Sequence, residues 1–280
     1  MIGASDIGAS ELVAAQGAYT FMAGALITLV VGGAIVARKL GGGFSPWAWG
    51  GVAFVLSQAA RLPVLTLISA LFIGSAAPES GSATWTLSVV LASLTAGIFE
   101  EGSRALILST AAKRVRSEGS GIAFGLGHAG IEALIFTLLP SIAAIALLSG
   151  VSDGSIYANL PAASSHALKT AVTFLSGQSV GVATLAVVER IFAALLHVTL
   201  TLFVLRAVQQ GGGRQALAQR LVLPIALHTV ANLSTVLLLP VVGVVGAEVL
   251  FATVTVGVVA YYRRTRIAVP EHVTGAPGEE

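Results

Sequence analysis

The chain has 280 residues, 55% of them hydrophobic and only 10% charged, with a mean hydropathy of +0.90. Soluble domains of this length carry far more charge, so the composition indicates a polytopic membrane protein. There is no cysteine, which excludes disulfides, thiolate nucleophiles and iron–sulfur clusters. The net charge of +2 gives no support for nucleic-acid binding.

In lipid the backbone must satisfy its own hydrogen bonds, so the spanning elements are helices or a closed barrel. Long uninterrupted apolar runs select helices and an all-α membrane bundle. Asp6 and Glu11 precede the first run with no Lys or Arg beside them, a pattern that does not fit a cleaved signal peptide. The predicted spans are about 17–37, 47–74, 84–111, 121–148, 179–207, 219–239 and 242–262. Several exceed the roughly 20 residues needed to cross, so tilt or extension into water is expected. The second span holds Arg61 and Pro63; a break there would make eight spans. Pro140 and Pro224 should kink their helices. Between spans four and five, the stretch Ala167–Leu175 reads as a short interfacial helix. Residues 1–266 read as one transmembrane domain with no internal repeat, and 267–280 as a disordered tail.

Charge sets the expected orientation. Arg38 and Lys39, then Lys113, Arg114 and Arg116, then Arg206, Arg214 and Arg220, then Arg263, Arg264 and Arg266 all fall on one side if the spans alternate. The opposite loops hold Glu79, Asp153 and Glu248, with Lys169 as their cation. The positive-inside rule then places the N-terminus outside and the C-terminus in the cytoplasm.

Ionisable side chains inside spans are costly and mark buried polar sites. Here they are Glu100, Glu101 and Arg104; His128 and Glu132; Glu189, Arg190 and His197; and His228 with Asn232. Counted from the basic flanks at about 1.5 Å per residue, all lie roughly 12–20 Å deep, in one layer. Glu100 and Arg104, His128 and Glu132, and His228 and Asn232 are each four residues apart and share a helix face. Gly121, Gly125, Gly127 and Gly130 thin the fourth span beside His128. Pro224, one turn before His228, frees a carbonyl near this layer.

Two chemistries suit this set. Neutral imidazoles and a carboxylate bind a metal with an open position for water. Alternatively, one glutamate activates water while histidines and Asn232 donate to a developing oxyanion, without metal. Either hydrolyses an acyl bond. Rhomboid-type serine chemistry is not indicated, because no Gly-x-Ser-x motif is paired with a suitably placed histidine.

Glu100-Glu101-x-x-Arg104 and His228-x-x-x-Asn232, with His197 between them, resemble the CAAX-prenyl-endopeptidase and bacteriocin-processing (CPBP) superfamily of intramembrane proteases. Ser57-Gln58, Arg61-Leu62-Pro63 and Gly125-Leu126-Gly127-His128-Ala129-Gly130-Ile131-Glu132-Ala133 are closer to its YhfC-type branch, related in style to PrsW. The resemblance covers roughly residues 45–240. It implies an intramembrane peptidase of a bacterial plasma membrane, acting on a membrane-embedded or membrane-near protein or peptide. It implies Glu100 or Glu101 as catalytic carboxylate. Glu100, His197 and His228 are then the metal (Zn2+) ligands, with His128 and Asn232 as further candidates, and Arg104 and Glu132 belong to the site. Two residues, not the usual three, separate Glu-Glu from Arg104, and Phe192 precedes His197 by one residue more than the superfamily's Phe-x-x-x-His. A proton-coupled secondary transporter and a non-catalytic membrane scaffold are the rival readings; oligomeric state is left open.

Overall fold

A computed structural model describes residues 8–40, 43–74, 77–159, 161 and 164–267. The expected tail, but for Ile267, lies outside the described residues. Among the described residues the regular structure is helical throughout: α1 (Ala9–Leu40), α2 (Ser45–Phe72), α3 (Ala83–Ser109), α4 (Glu118–Ala133), a π-turn (Leu134–Leu138), α5 (Leu139–Ser152), a 3₁₀ turn (Ser155–Asn159), α6 (Ser165–Ser176), α7 (Val180–Gln209) and α8 (Gly213–Ile267). Helix starts carry serine caps: Ser82 accepts from the Trp85 amide, Ser117 and Ser120 form a capping box, and Ser179 accepts from the Val182 amide.

Six helical segments are long and apolar enough to cross a membrane, α4 and α5 counting as one through the π-turn. The 55-residue α8 holds two arms, joined at Gly243 in a left-handed conformation (φ 68°) that favours glycine. A straight helix would carry Tyr262 about 63 Å from Arg220. Instead Arg220 donates to the Gly211 carbonyl at the end of α7, and Arg206 of that same end sits 4.1 Å over the Tyr262 ring. The second arm therefore returns, giving the last two expected spans.

The second span is not broken. α2 runs through Pro63, because Arg61 is tied laterally to α3, through the Ala92 carbonyl and Thr95 Oγ1, and does not cap a free end. The eight-span alternative falls with it. The irregularity expected at Pro140 takes the form of the π-turn just before it, since proline supplies no N–H to the ladder. α8 likewise continues through Pro224. The expected interfacial helix is α6, whose Leu168 and Val172, one turn apart, pack into a cluster with Leu12, Leu26 and Leu148 of α1 and α5.

Large apolar side chains such as Val31, Leu67, Val182 and Val245 face outward, as lipid contact requires. α7 buries 61% of its most apolar stretch, more than the corresponding stretch of any other candidate span among the described residues. Close packing, more than apolar burial, holds such bundles together, and glycines set it. A Cβ on Gly50 would lie 1.9 Å from the Phe124 carbonyl oxygen, and one on Gly127 1.8 Å from that of Trp47. α2 and α4 thus touch backbone to backbone.

Candidate active site

Three close approaches bring the polar residues together. Gly50 and Gly127 press α4 onto α2 beside His128. Gly125 meets Val198 Cα, one residue past His197, where a Cβ would lie 2.6 Å away. Gly97 meets Ile225 and Thr229, flanking His228, and is one turn before Glu100 and Glu101. The consequence is a cluster of buried ionisable groups: Glu100, Glu101, Arg104, His128, His197 and His228 are each no more than 5% exposed.

Arg104 is its hub. Its Nη1 donates to Glu101 Oε1 at 2.5 Å, its Nη2 lies 2.6 Å from His197 Nδ1 and 3.8 Å from Glu100 Oε2, and its Nε donates to His128 Nδ1 at 3.4 Å. A guanidinium only donates, so both imidazoles accept through Nδ1 and carry their proton on Nε2. His128 Nε2 then donates to Glu100 Oε2 at 3.0 Å. His197 Nε2 lies 2.6 Å from Glu132 Oε2. His228 has the opposite tautomer. Its Nδ1 donates to Glu101 Oε1 at 2.8 Å, and its Nε2 lies 3.8 Å from Glu100 Oε2.

The remaining expected residues surround this centre. Arg190 bridges Glu189 and Glu132, donating to Glu132 Oε1 at 3.0 Å. A cavity of 310 Å³ is lined by Arg61, Glu100, Glu132, Glu189, Arg190, His197, His228 and Asn232, with Phe251 contributed by the returning arm. Asn232 thus faces the cavity; Glu101 and Arg104 lie behind its wall.

Ligand atoms of Glu100, His128, Glu132 and His197 lie within 4.8 Å of one another. Nitrogen and carboxylate donors at this spacing suit zinc, whose ligands in a tetrahedron are about 3.3 Å apart. Glu132 Oε2 and His197 Nε2 already lie 2.6 Å apart, so the two side chains converge on one point. Around the cavity, Glu100, Glu101, Glu132 and Glu189 outnumber Arg61, Arg104 and Arg190 by one negative charge, the sign that draws a cation. Of the ligands expected from sequence, Glu100, His197 and the further candidate His128 are in this set; Glu132 joins them, while His228 stands beside it, hydrogen-bonded to Glu101. Sequence reading passed over Gln58 as a site residue. It is buried and donates to Glu100 Oε1 at 3.3 Å. The signal was there: Gln58 and Arg61 form a polar pair three residues apart in an apolar span.

Residues 27–255 match the family described as YhfC intramembrane metalloprotease. The chain is 34% identical over 148 residues to a Bacillus subtilis (strain 168) protein described as "Uncharacterized membrane protein YhfC". That alignment covers 51% of this chain and 54% of the relative, so the chain spans about half the length of the curated relative it matches. No solved structure matches. This integral membrane protein belongs to the YhfC intramembrane metalloprotease family.

Proposed function

We propose that this protein is a zinc-dependent endopeptidase of a bacterial plasma membrane, cutting a membrane-embedded or membrane-near protein or peptide. The observation that carries the reading is the convergence of Glu100, His128, Glu132 and His197 beside His228, against a cavity within the helix bundle. Glu100 and Glu132 through Oε2, with His128 and His197 through Nε2, would hold the ion. Bound zinc polarises a carbonyl and acidifies water.

The protein's own residues do the rest. Glu101 keeps the His228 proton on Nδ1, so Nε2 is the base that takes a proton from water entering the cavity. The same imidazolium can return that proton to the leaving amine. Asn232, one turn beyond His228 on the cavity wall, offers its amide to the oxyanion. Arg104 supplies positive charge to carboxylates that would otherwise be buried unpaired. To hold an ion at Nε2, His128 and His197 would need their protons on Nδ1, the nitrogens that face Arg104. Arg190 holds Glu132 at the far side.

The test is the zinc content of detergent-purified wild type, His197→Ala and His228→Ala, together with cleavage of a pooled library of single-span peptides read by mass spectrometry. The expected result is about one zinc per chain in wild type and His228→Ala, zinc lost in His197→Ala, and cleavage lost in both variants. Loss of zinc in His228→Ala makes that residue a ligand and returns the base role to a glutamate. Absence of both zinc and cleavage from a folded wild type sinks the reading, and proton-coupled flux in liposomes would then identify a transporter.

A further inference from the structure

Glu100 has two oxygens, and only one of them faces the imidazoles. Its Oε2 receives His128 and lies toward His228, whereas its Oε1 receives the amide of Gln58 at 3.3 Å. An amide can be turned either way, so what fixes Gln58 decides what it presents to Glu100. Arg61, one turn along α2, donates its Nη1 to Gln58 Oε1 at 3.1 Å. A guanidinium cannot accept, so the Gln58 oxygen must face Arg61 and its NH₂ must face Glu100. The other amide hydrogen goes to Ser57 Oγ at 3.1 Å, and that hydroxyl is itself committed to the Phe54 carbonyl at 2.6 Å. Arg61 is held in turn by the Ala92 carbonyl at 2.9 Å and by Thr95 Oγ1 at 3.3 Å, both on α3. Every link of Arg61–Gln58–Glu100 therefore has a single allowed direction.

We infer that Gln58 and Arg61 are positioning residues that present Glu100 to the metal through Oε2 alone. The inference rests on the metal-dependent reading above. Pinning Oε1 sets the rotation of the carboxylate about its last bond and stops it from chelating the ion with both oxygens. The energetic reason is burial: Glu100 and Gln58 are 5% and 7% exposed, which strengthens the hydrogen bond between them. Partners of this kind tune metal affinity by roughly 10–100-fold in other proteins. Arg61 acts only through Gln58, so the two share one effect.

The experiment measures zinc affinity by chelator competition, on purified full-length wild type, Gln58→Met, Arg61→Met and the double variant, with metal-free thermal unfolding alongside. Methionine keeps the approximate length of the side chain and removes its hydrogen bonds. The expected result is a loss of roughly 10–100-fold in each single variant, with no further loss in the double. Gln58→Glu, which places an acceptor against Glu100, is expected to lose at least as much. Zinc bound equally tightly by wild type and the Gln58 variants overturns the inference and leaves the metal reading standing. Losses that add in the double variant overturn the role of Arg61 through Gln58. A wild type that binds no zinc overturns the metal reading and this inference with it. Where a Gln58 variant unfolds without metal, Arg61→Lys decides: it keeps a donor for Gln58, and retention of most of the affinity lost in Arg61→Met supports the relay, whereas equal loss refutes it.

Discussion

A single guanidinium organises the buried charges. Arg104 is fully enclosed and touches Glu101, His128 and His197 at once. Removing it leaves Glu101 ionised in a dry interior with only His228 as partner. Breaking a buried pair from one side costs about 3–5 kcal/mol, whereas replacing both partners by apolar groups costs far less. Arg104→Met is therefore expected to lower the unfolding midpoint in detergent strongly, and Arg104→Met with Glu101→Met to recover part of that loss. A double variant that is less stable than the single would show that Glu101 is held by something other than Arg104. Arg190 follows the same logic more weakly, because it is partly exposed and shared by Glu132 and Glu189. At this scale much of the site was legible in the sequence: the charged and imidazole residues and Asn232 stood out as ionisable or polar in apolar spans, and all line or back one cavity. Gln58 was visible only as part of the family resemblance and was not assigned to the site, because a neutral amide in a membrane helix reads as ordinary interhelical glue until its partners are known.

Helix pairs meet here through missing side chains. α3 carries Gly97 and Gly102, with opposite surroundings. A Cβ at Gly97 would stand 2.5 Å from Thr229 Oγ1 and 2.8 Å from the Ile225 carbonyl oxygen, whereas one at Gly102 meets nothing within 4 Å. Gly97→Ala is expected to cost about 1–3 kcal/mol, as overpacked contacts do, and to push His228 away from Glu101. Gly102→Ala is expected to be neutral or to stabilise by up to about 1 kcal/mol, since alanine is the better helix former. Unfolding midpoints of the two variants check this pair; equal effects would mean that α3 and α8 do not touch at Gly97. Some helix bounds were readable to within a few residues, the third span falling at 84–111 against Ala83–Ser109, whereas α1 begins at Ala9 against an expected 17. Hydropathy and the rise per residue are local quantities. The continuous α2 was not readable, because the lateral bonds of Arg61 depend on α3 lying alongside.

The whole molecule is a bundle around α7, with its polar centre inside and apolar side chains out. Its basic residues collect at one end of the helices, and we propose that this end faces the cytoplasm, as the positive-inside rule requires. The absence of cysteine makes the chain a clean background for a labelling test. Ser117→Cys, at the start of α4 on the basic side, is expected to react with an impermeant maleimide only after cells are opened. Ser82→Cys, at the start of α3 on the other side, is expected to react in intact cells. The reverse pattern would invert the orientation.

Composition and periodicity were enough to establish the solvent, the helical class, the approximate spans and the common depth of the polar residues. All of these follow from one-dimensional quantities: transfer cost per residue, length per residue and charge at the ends. Packing decided the rest. That His228 pairs with Glu101, that Arg104 sets the tautomers of His128 and His197, and that Glu100 shows one oxygen to them all depend on helix rotation and separation. Those are set where Gly50, Gly97, Gly125 and Gly127 let backbones touch residues far away in the chain. Spacing along a helix says which face a residue is on; only the neighbouring helix says what that face meets.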